Sequence, residues 1–349
     1  MIRKVKHLYV HIPFCNSICT YCDFVRYVRN DQTKEEYVNK IIEQIKHQYK
    51  NHKFSTIYIG GGTPNCLNDD LLNKLLCTLS HYLLNKYEFT IECNPELITD
   101  TQIRTLKQNK VNRVSIGVQS INDSLLRKIH RKHTLIDVKK AIDKLRKFKI
   151  NNISIDLIYG FNEQTLSNIK DTCTFIKKHK IPHVSWYSLE VSNNSIMNKQ
   201  GYKTNIDNIG NQFKLIIDTM NNINYKRYEV SNWSINRKYE SIHNKCYWLS
   251  KEWAGLGIGA YGFENKKYYH YVGKVTKYKK ISELIKTKDF YFQILMMGLR
   301  LVEGIDVTIQ PYKSAYKYFK NKLVDVKIIH KKLLSKNINL LNNTLEKIL

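Results

Sequence analysis

The stretch Thr56-Ile57-Tyr58-Ile59-Gly60-Gly61-Gly62-Thr63-Pro64 decides the architecture. A β-branched, apolar run that stops in three glycines and a proline is a buried strand ending in a stiff turn. The same grammar holds on either side. Residues 8–12 run apolar into Pro13, and residues 89–92 run into Asn94-Pro95. Between these strands, residues 34–50, 69–85 and 99–108 carry helical periodicity, with Asp69 and Thr99 as N-caps. Strands are predicted again at 113–118, 153–158 and 183–189, separated by helices at 135–148 and 165–179. Strand and helix therefore alternate to about residue 190, which predicts an α/β fold with a parallel sheet and crossover helices, open or curled toward a barrel. In such folds the chemistry gathers at the carboxyl ends of the strands.

Beyond about Asn224 the alternation is lost, and Tyr, Trp and Gly concentrate over residues 225–271. Residues 289–349 read as Lys-rich amphipathic helices interrupted by Gly304 and Pro311. The expected division is a core of residues 1–235 and a smaller, mainly helical C-terminal domain with its connecting segment over residues 236–349. The 349 residues, 42% hydrophobic and 25% charged, suit a packed globular protein, and no apolar run reaches the ~18 residues of a membrane span. Residues 1–6 are basic and lead straight into a strand rather than a signal-peptide core, so a cytoplasmic location is expected. The net charge of +27 comes from lysines scattered through every segment. The chain is equally rich in Asn, Ile and Tyr, which A/T-rich codons specify, so no specific nucleic-acid partner is expected. Peripheral association with a membrane surface stays open.

Of eight cysteines, only Cys15, Cys19 and Cys22 are grouped, with the spacing C-x3-C-x2-C. Grouped cysteines without a secretory context point to metal or redox chemistry rather than disulfides. A structural zinc site is closed by four ligands, and the nearest fourth here is His11. Three thiolates on one loop also suit a 4Fe-4S cluster with one iron left open to a small molecule, whereas electron-transfer clusters are normally held by four. The residues leave iron–sulfur, zinc and free thiols open, with iron–sulfur preferred. Cys66, Cys77, Cys93, Cys173 and Cys246 follow no ligand spacing and read as small core or surface residues.

The run Tyr9-Val10-His11-Ile12-Pro13-Phe14-Cys15, with Cys19, Tyr21, Cys22, Asp23 and Phe24, resembles the radical S-adenosylmethionine (SAM) superfamily. More narrowly it is similar to the group that holds oxygen-independent coproporphyrinogen III oxidase and the haem chaperones. The likeness continues through Tyr58-Ile59-Gly60-Gly61-Gly62-Thr63-Pro64, Thr90-Ile91-Glu92, Ser115 to Ser120, Arg131 with His133, and Ile155 to Gly160. It extends to Tyr228-Glu229-Val230-Ser231-Asn232, His243-Asn244 with Tyr247-Trp248, and Gly298-Leu299-Arg300. The resemblance implies a partial (β/α)6 radical SAM barrel followed by a C-terminal domain of the oxidase type. It implies that Cys15, Cys19 and Cys22 hold a 4Fe-4S cluster, and that Tyr9, Tyr21, Gly61, Gly62, Thr63, Glu92, Gln119, Arg131 and Asp156 contact SAM. An electron donor such as flavodoxin or ferredoxin follows from the same likeness.

The oxidases typically carry a further cysteine two residues after the triplet, where this chain has Phe24 after Asp23. That departure, with Tyr9 almost at the N-terminus, points to the haem-chaperone branch, with haem as cargo and an apo-haemoprotein as acceptor. His243 is expected to contribute to haem binding, since imidazole is the commonest protein ligand to haem iron. Tyr261 stands where the family usually has a histidine. Two alternatives accompany the chaperone reading: a coproporphyrinogen oxidase that decarboxylates propionates to vinyl groups, and an RNA-modifying radical SAM enzyme served by the basic charge.

Overall fold

The computed structural model describes residues 5–348. The first four residues of the basic run 1–6, and Leu349, lie outside the described residues. Strands β1 (His7–Ile12), β2 (Phe54–Gly61), β3 (Leu83–Cys93), β4 (Arg113–Gln119), β5 (Ile153–Tyr159) and β6 (His183–Ser188) lie side by side in chain order, all parallel. Helices α1 (Asp31–Gln48), α2 (Asp69–Ser80), α3 (Asp100–Gln108), α4 (Asp123–Lys128), α5 (Leu135–Lys147) and α6 (Leu166–Lys178) make the crossovers. An unbroken strand order with right-handed crossovers puts successive helices on one side of the sheet, and the other side becomes the inside of a partial barrel.

The strand sequences explain both faces. Leu8, Val10, Ile12, Ile57, Ile59, Phe89, Ile91, Val114, Ile116, Ile153 and Ile155 are sealed from solvent in one core with the helices. On α1 the matching stripe is Tyr37, Val38, Ile41 and Ile45. Each such side chain contributes about 1.5–3 kcal/mol by leaving water. The alternate positions carry His7, Tyr9 and His11 on β1, Thr56 and Tyr58 on β2, Glu88 and Glu92 on β3, Arg113 and Ser115 on β4, and Asp156 on β5. This inner face is polar and bonded across strands: His7 with Thr56 at 2.9 Å, Arg113 with His183 at 3.3 Å, Ser115 with Asp156 at 3.0 Å.

After α7 (Ile196–Lys199) and α8 (Ile206–Asn222), the hairpin β7 (Lys226–Glu229) and β8 (Asn232–Ser234) packs against β6 in antiparallel sense. Then α9 (Ile242–Trp248) leads to β9 (Trp253–Leu256), which pairs parallel to β1. β10 (Tyr261–Glu264), β11 (Lys267–Lys274) and β12 (Lys277–Leu284) extend that edge antiparallel, completing one sheet of twelve strands. A second core lies beyond it, formed by α10 (Thr287–Gly298), α11 (Tyr312–Phe319) and α12 (Leu341–Glu346) around Leu295, Leu299, Phe319 and Leu345. The helices expected over residues 289–349 share this region with a three-stranded sheet of β13 (Ile305–Asp306), β14 (Val326–Ile329) and β15 (Lys332–Ser335).

Two further local expectations are corrected. Asn68, not Asp69, caps α2, its side chain accepting from the Leu71 amide, and Asp69 is the first helical residue. The helix expected over 69–85 stops at Ser80, because Leu83 already begins β3 beside Phe54. Thr99 caps α3 as expected. Among the described residues no helix is long and apolar enough to cross a membrane.

Candidate functional site

The cysteine loop leaves the carboxyl end of β1 and is pinned by its backbone. Cys15 N–H donates to the Tyr27 carbonyl at 3.0 Å, Thr20 N–H to that of Ile129 at 3.2 Å, and Cys22 N–H to that of Cys19 at 3.3 Å. His11 ties the strand to the loop, Nε2–H donating to the Val25 carbonyl at 2.9 Å. Burial pushes its pKa down to about 4, so the ring is neutral and Nδ1 accepts the Tyr9 hydroxyl at 3.0 Å.

All three cysteines are free and half-buried. The Thr63 hydroxyl donates to Cys15 Sγ at 3.5 Å, and Arg131 Nη1 donates to Cys19 Sγ at 3.8 Å. Burial raises the Cys15 thiol and pushes Cys22 up to about 11. Among the described residues no three Cys, His, Asp or Glu side chains converge closely enough to hold a single metal ion. A four-iron cluster takes thiolates spread around its corners.

The glycine turn after β2 lies against this loop. Gly61 has φ +118°, the left-handed side of the map, and its N–H donates to Glu92 Oε2 at 3.1 Å. A β-carbon on Gly62 would stand 2.9 Å from Cys15 Sγ. Glu92 also accepts the Tyr58 hydroxyl at 2.8 Å, and burial followed by the nearby Asp156 charge pushes it up to about 7. Burial raises Asp156 too, against two 3.0 Å bonds from the Ser115 hydroxyl. Gln119 ends β4 at φ +63°, past a register shift after Gly117. Arg131 Nη2 donates to Asn94 Oδ1 at 2.8 Å and to the Gly117 carbonyl at 2.6 Å.

Cys15, Cys19, Cys22, Gly61, Gly62, Thr63, Glu92, Gln119 and Arg131 thus meet at one end of the parallel sheet, with Asp156 beside Glu92. Tyr21 packs against Phe161, ring centres 6.4 Å apart, and Tyr9 lies beside Tyr58 at 6.1 Å. His243, the residue expected at haem, is buried in this chain. It is 1% exposed, Nδ1 is bonded to Thr56 at 2.7 Å, and Nε2 is bonded to the Tyr247 hydroxyl at 2.8 Å. Asn94, Tyr58 and Ser115 were given no role from the sequence, although Asn94 sits in the Asn-Pro breaker and Tyr58 and Ser115 each open a quoted motif.

The residues fit an iron–sulfur cluster with SAM. Polar hydrogens already point at two sulfurs, and the cradle beside Cys15 is one a β-carbon would fill. Arg131 Nε and Thr90 Oγ1 are buried with no hydrogen-bond partner among the described residues, donors that a bound group would satisfy.

A partial parallel barrel with a three-cysteine loop after its first strand and a triple-glycine turn after its second defines a radical SAM protein, and the Radical SAM superfamily model matches residues 9–176. A "Heme chaperone HemW" of Lactococcus lactis is 34% identical, the alignment covering 100% of this chain and 98% of the relative. One of Bacillus subtilis is 32% identical over 86% of this chain and 85% of its own. The chain belongs to the HemW family of the radical SAM superfamily. Its fold matches the solved structure of coproporphyrinogen III oxidase (HemN) from Escherichia coli with TM-score 0.83 at 18% identity, over 100% of this chain and 91% of that one.

Proposed function

We propose that this protein is a cytoplasmic haem chaperone that binds a 4Fe-4S cluster, SAM and haem, and passes haem to apo-haemoproteins. The observation that carries the reading is the 34% identity to a heme chaperone across the whole of this chain. Residues 1–235 hold the cofactors in this proposal, and residues 236–349 form the connecting segment, whose β9 to β12 continue the main sheet, and the appended domain. Cys15, Cys19 and Cys22 ligate three irons, and Arg131 and Thr63 steady two of the sulfurs. Glu92 and Asp156 supply carboxylates for the SAM amine and ribose, and the glycine turn keeps side chains out of the cofactor's way. When bound and reduced by a flavodoxin- or ferredoxin-like donor, the cluster supplies one electron to the SAM sulfonium.

A second reading, coproporphyrinogen oxidase, is favoured by the fold likeness, but fold alone does not carry activity. Asp23 and Phe24 after Cys22, where the oxidase pattern has a cysteine, favour the chaperone. The test is anaerobic reconstitution with iron and sulfide, followed by haem-binding and coproporphyrinogen-decarboxylation assays on one preparation. Stoichiometric haem uptake without release of carbon dioxide is expected, and changing the three cysteines to Ala abolishes the iron–sulfur absorbance. Turnover of coproporphyrinogen would overturn the chaperone reading, and full iron content without the cysteines would overturn the cluster assignment.

A further inference from the structure

The cysteine loop, residues 13–30, turns an apolar surface to solvent. Phe24 is 63% exposed, Val28 48%, Val25 40% and Ile18 37%. Elsewhere over residues 5–230, exposed large apolar side chains stand alone in the sequence, whereas these four fall within residues 18–28. The exposure is not that of a loose loop. Tyr27 pairs with Phe14 across its base, the Tyr27 N–H donating to the Pro13 carbonyl at 2.6 Å. The Val25 carbonyl is held by His11, and that of Phe24 accepts from Arg26 Nη1 at 2.9 Å. A pinned backbone that keeps hydrophobic side chains in water marks a surface that a partner covers.

The border of this patch is cationic. Arg29 is exposed at the end of the loop, its guanidinium 5.2 Å from the centre of the Tyr27 ring. The Thr20 N–H ties the loop to the Ile129 carbonyl in the link between α4 and α5, where Lys128, His130 and Lys132 are exposed. Lys128 is paired with Glu163 at 3.7 Å, and Asp23 is the one carboxylate of the loop itself. An aromatic and aliphatic centre with a basic border fits an acidic protein.

We propose that this face of the cysteine loop is the docking surface for the electron donor, a small acidic electron-carrier protein whose apolar contact seats on Phe24, Val25 and Val28. The proposal rests on the cluster assignment and adds where the partner binds. The three half-buried cysteines belong to this same loop, and electron transfer weakens steeply with distance, so a donor that reduces the cluster has to approach here. The donor is oxidised by one electron and the cluster reduced by one, with no bond formed or broken. Transient electron-transfer interfaces are small, below about 1,200 Å² in total, so one loop and its neighbouring link suffice.

The test is calorimetric titration of the full-length protein, without cluster, with flavodoxin at low salt, for the wild type, Phe24→Ser and Arg29→Glu/Lys132→Glu. Phe24→Ser is expected to weaken binding about tenfold by removing the apolar anchor. The double charge reversal is expected to weaken it by a similar factor and to remove most of its salt dependence. After reconstitution, the same variants slow reduction of the cluster by flavodoxin hydroquinone, while iron content and reduction by dithionite stay at wild-type values. All three side chains are exposed, and matching circular dichroism melts establish that the variants are folded. Wild-type affinity in both variants, or no flavodoxin binding by the wild type, would overturn the docking surface and leave the cluster assignment standing. Binding lost instead towards apo-myoglobin or phosphatidylglycerol vesicles, with flavodoxin affinity unchanged, would hand the patch to a haem acceptor or a bilayer and overturn the proposal. Failure of the wild type to take up iron and sulfide would overturn the cluster assignment and this proposal with it.

Discussion

At Gly62 a β-carbon would stand 2.6 Å from the Phe14 carbonyl oxygen and 2.9 Å from the Cys15 sulfur, and the carbonyl belongs to a pinned backbone that cannot yield. Gly62→Ala is expected to cost about 1–3 kcal/mol of stability by overpacking. It displaces the cysteine loop, so iron bound after reconstitution falls severalfold while the circular dichroism spectrum stays native. Glu92 offers a pH test. Its pKa is pushed up to about 7 by burial and by Asp156, above the ordinary carboxylate value of an unfolded chain. The folded protein therefore binds that proton more tightly than the unfolded one between these values. The stabilisation is full below the unfolded pKa and is lost as pH rises through 7, with a magnitude on the order of 3 kcal/mol. Glu92→Gln removes this slope, so thermal melts of the apo protein should show the variant gaining on the wild type from pH 5 to pH 8. Unchanged relative melting temperatures across that range would refute the assignment. The charged and cysteine residues of the site were legible because each stands in a quoted motif, the cysteines and Glu92 at strand ends, Arg131 between α4 and α5 and Asp156 within β5. Tyr58 was not, since an aromatic in the middle of a strand carries no mark of pointing inward to a carboxylate.

Elements were legible where burial and local sequence agree. The six parallel strands were readable because each is a short apolar run stopped by a breaker or a loop. The end of α2 was not, because Leu83 and Leu84 continue an apolar rhythm that only pairing with β2 turns into strand. β14 (Val-Lys-Ile-Ile) and β15 (Lys-Leu-Leu-Ser) are too short for period 2 to be told from period 3.6. The short helix α9 was read as a motif, and its packing explains why it resists change. His243 joins it to β2 through Thr56, while the Ile242 and His243 amides donate to Glu88 at 3.0 and 2.9 Å. His243→Ala leaves Thr56 and the Tyr247 hydroxyl short of partners beside a new void. It is expected to lower stability by about 2–4 kcal/mol in chemical denaturation.

At the scale of the whole molecule, the β/α alternation foretold the direction and order of the first six strands. It said nothing of β9, because a four-residue strand of Trp253, Ala254, Gly255 and Leu256 has no local signature and takes its place only by lying against β1. The same pairing has a consequence in time. A ribosome emits β1 first and β9 some 240 residues later, so the nascent chain carries β1 with one row of backbone hydrogen-bonding groups unmatched until synthesis is nearly three-quarters done. The β1 to β6 unit can collapse as it emerges, but its first edge stays adhesive throughout translation. A chain ended at residue 252 is expected to aggregate, with the full chain remaining monodisperse under the same conditions, as sedimentation would reveal. The cell meets this protein first as an unfinished sheet whose closing strand is still inside the ribosome.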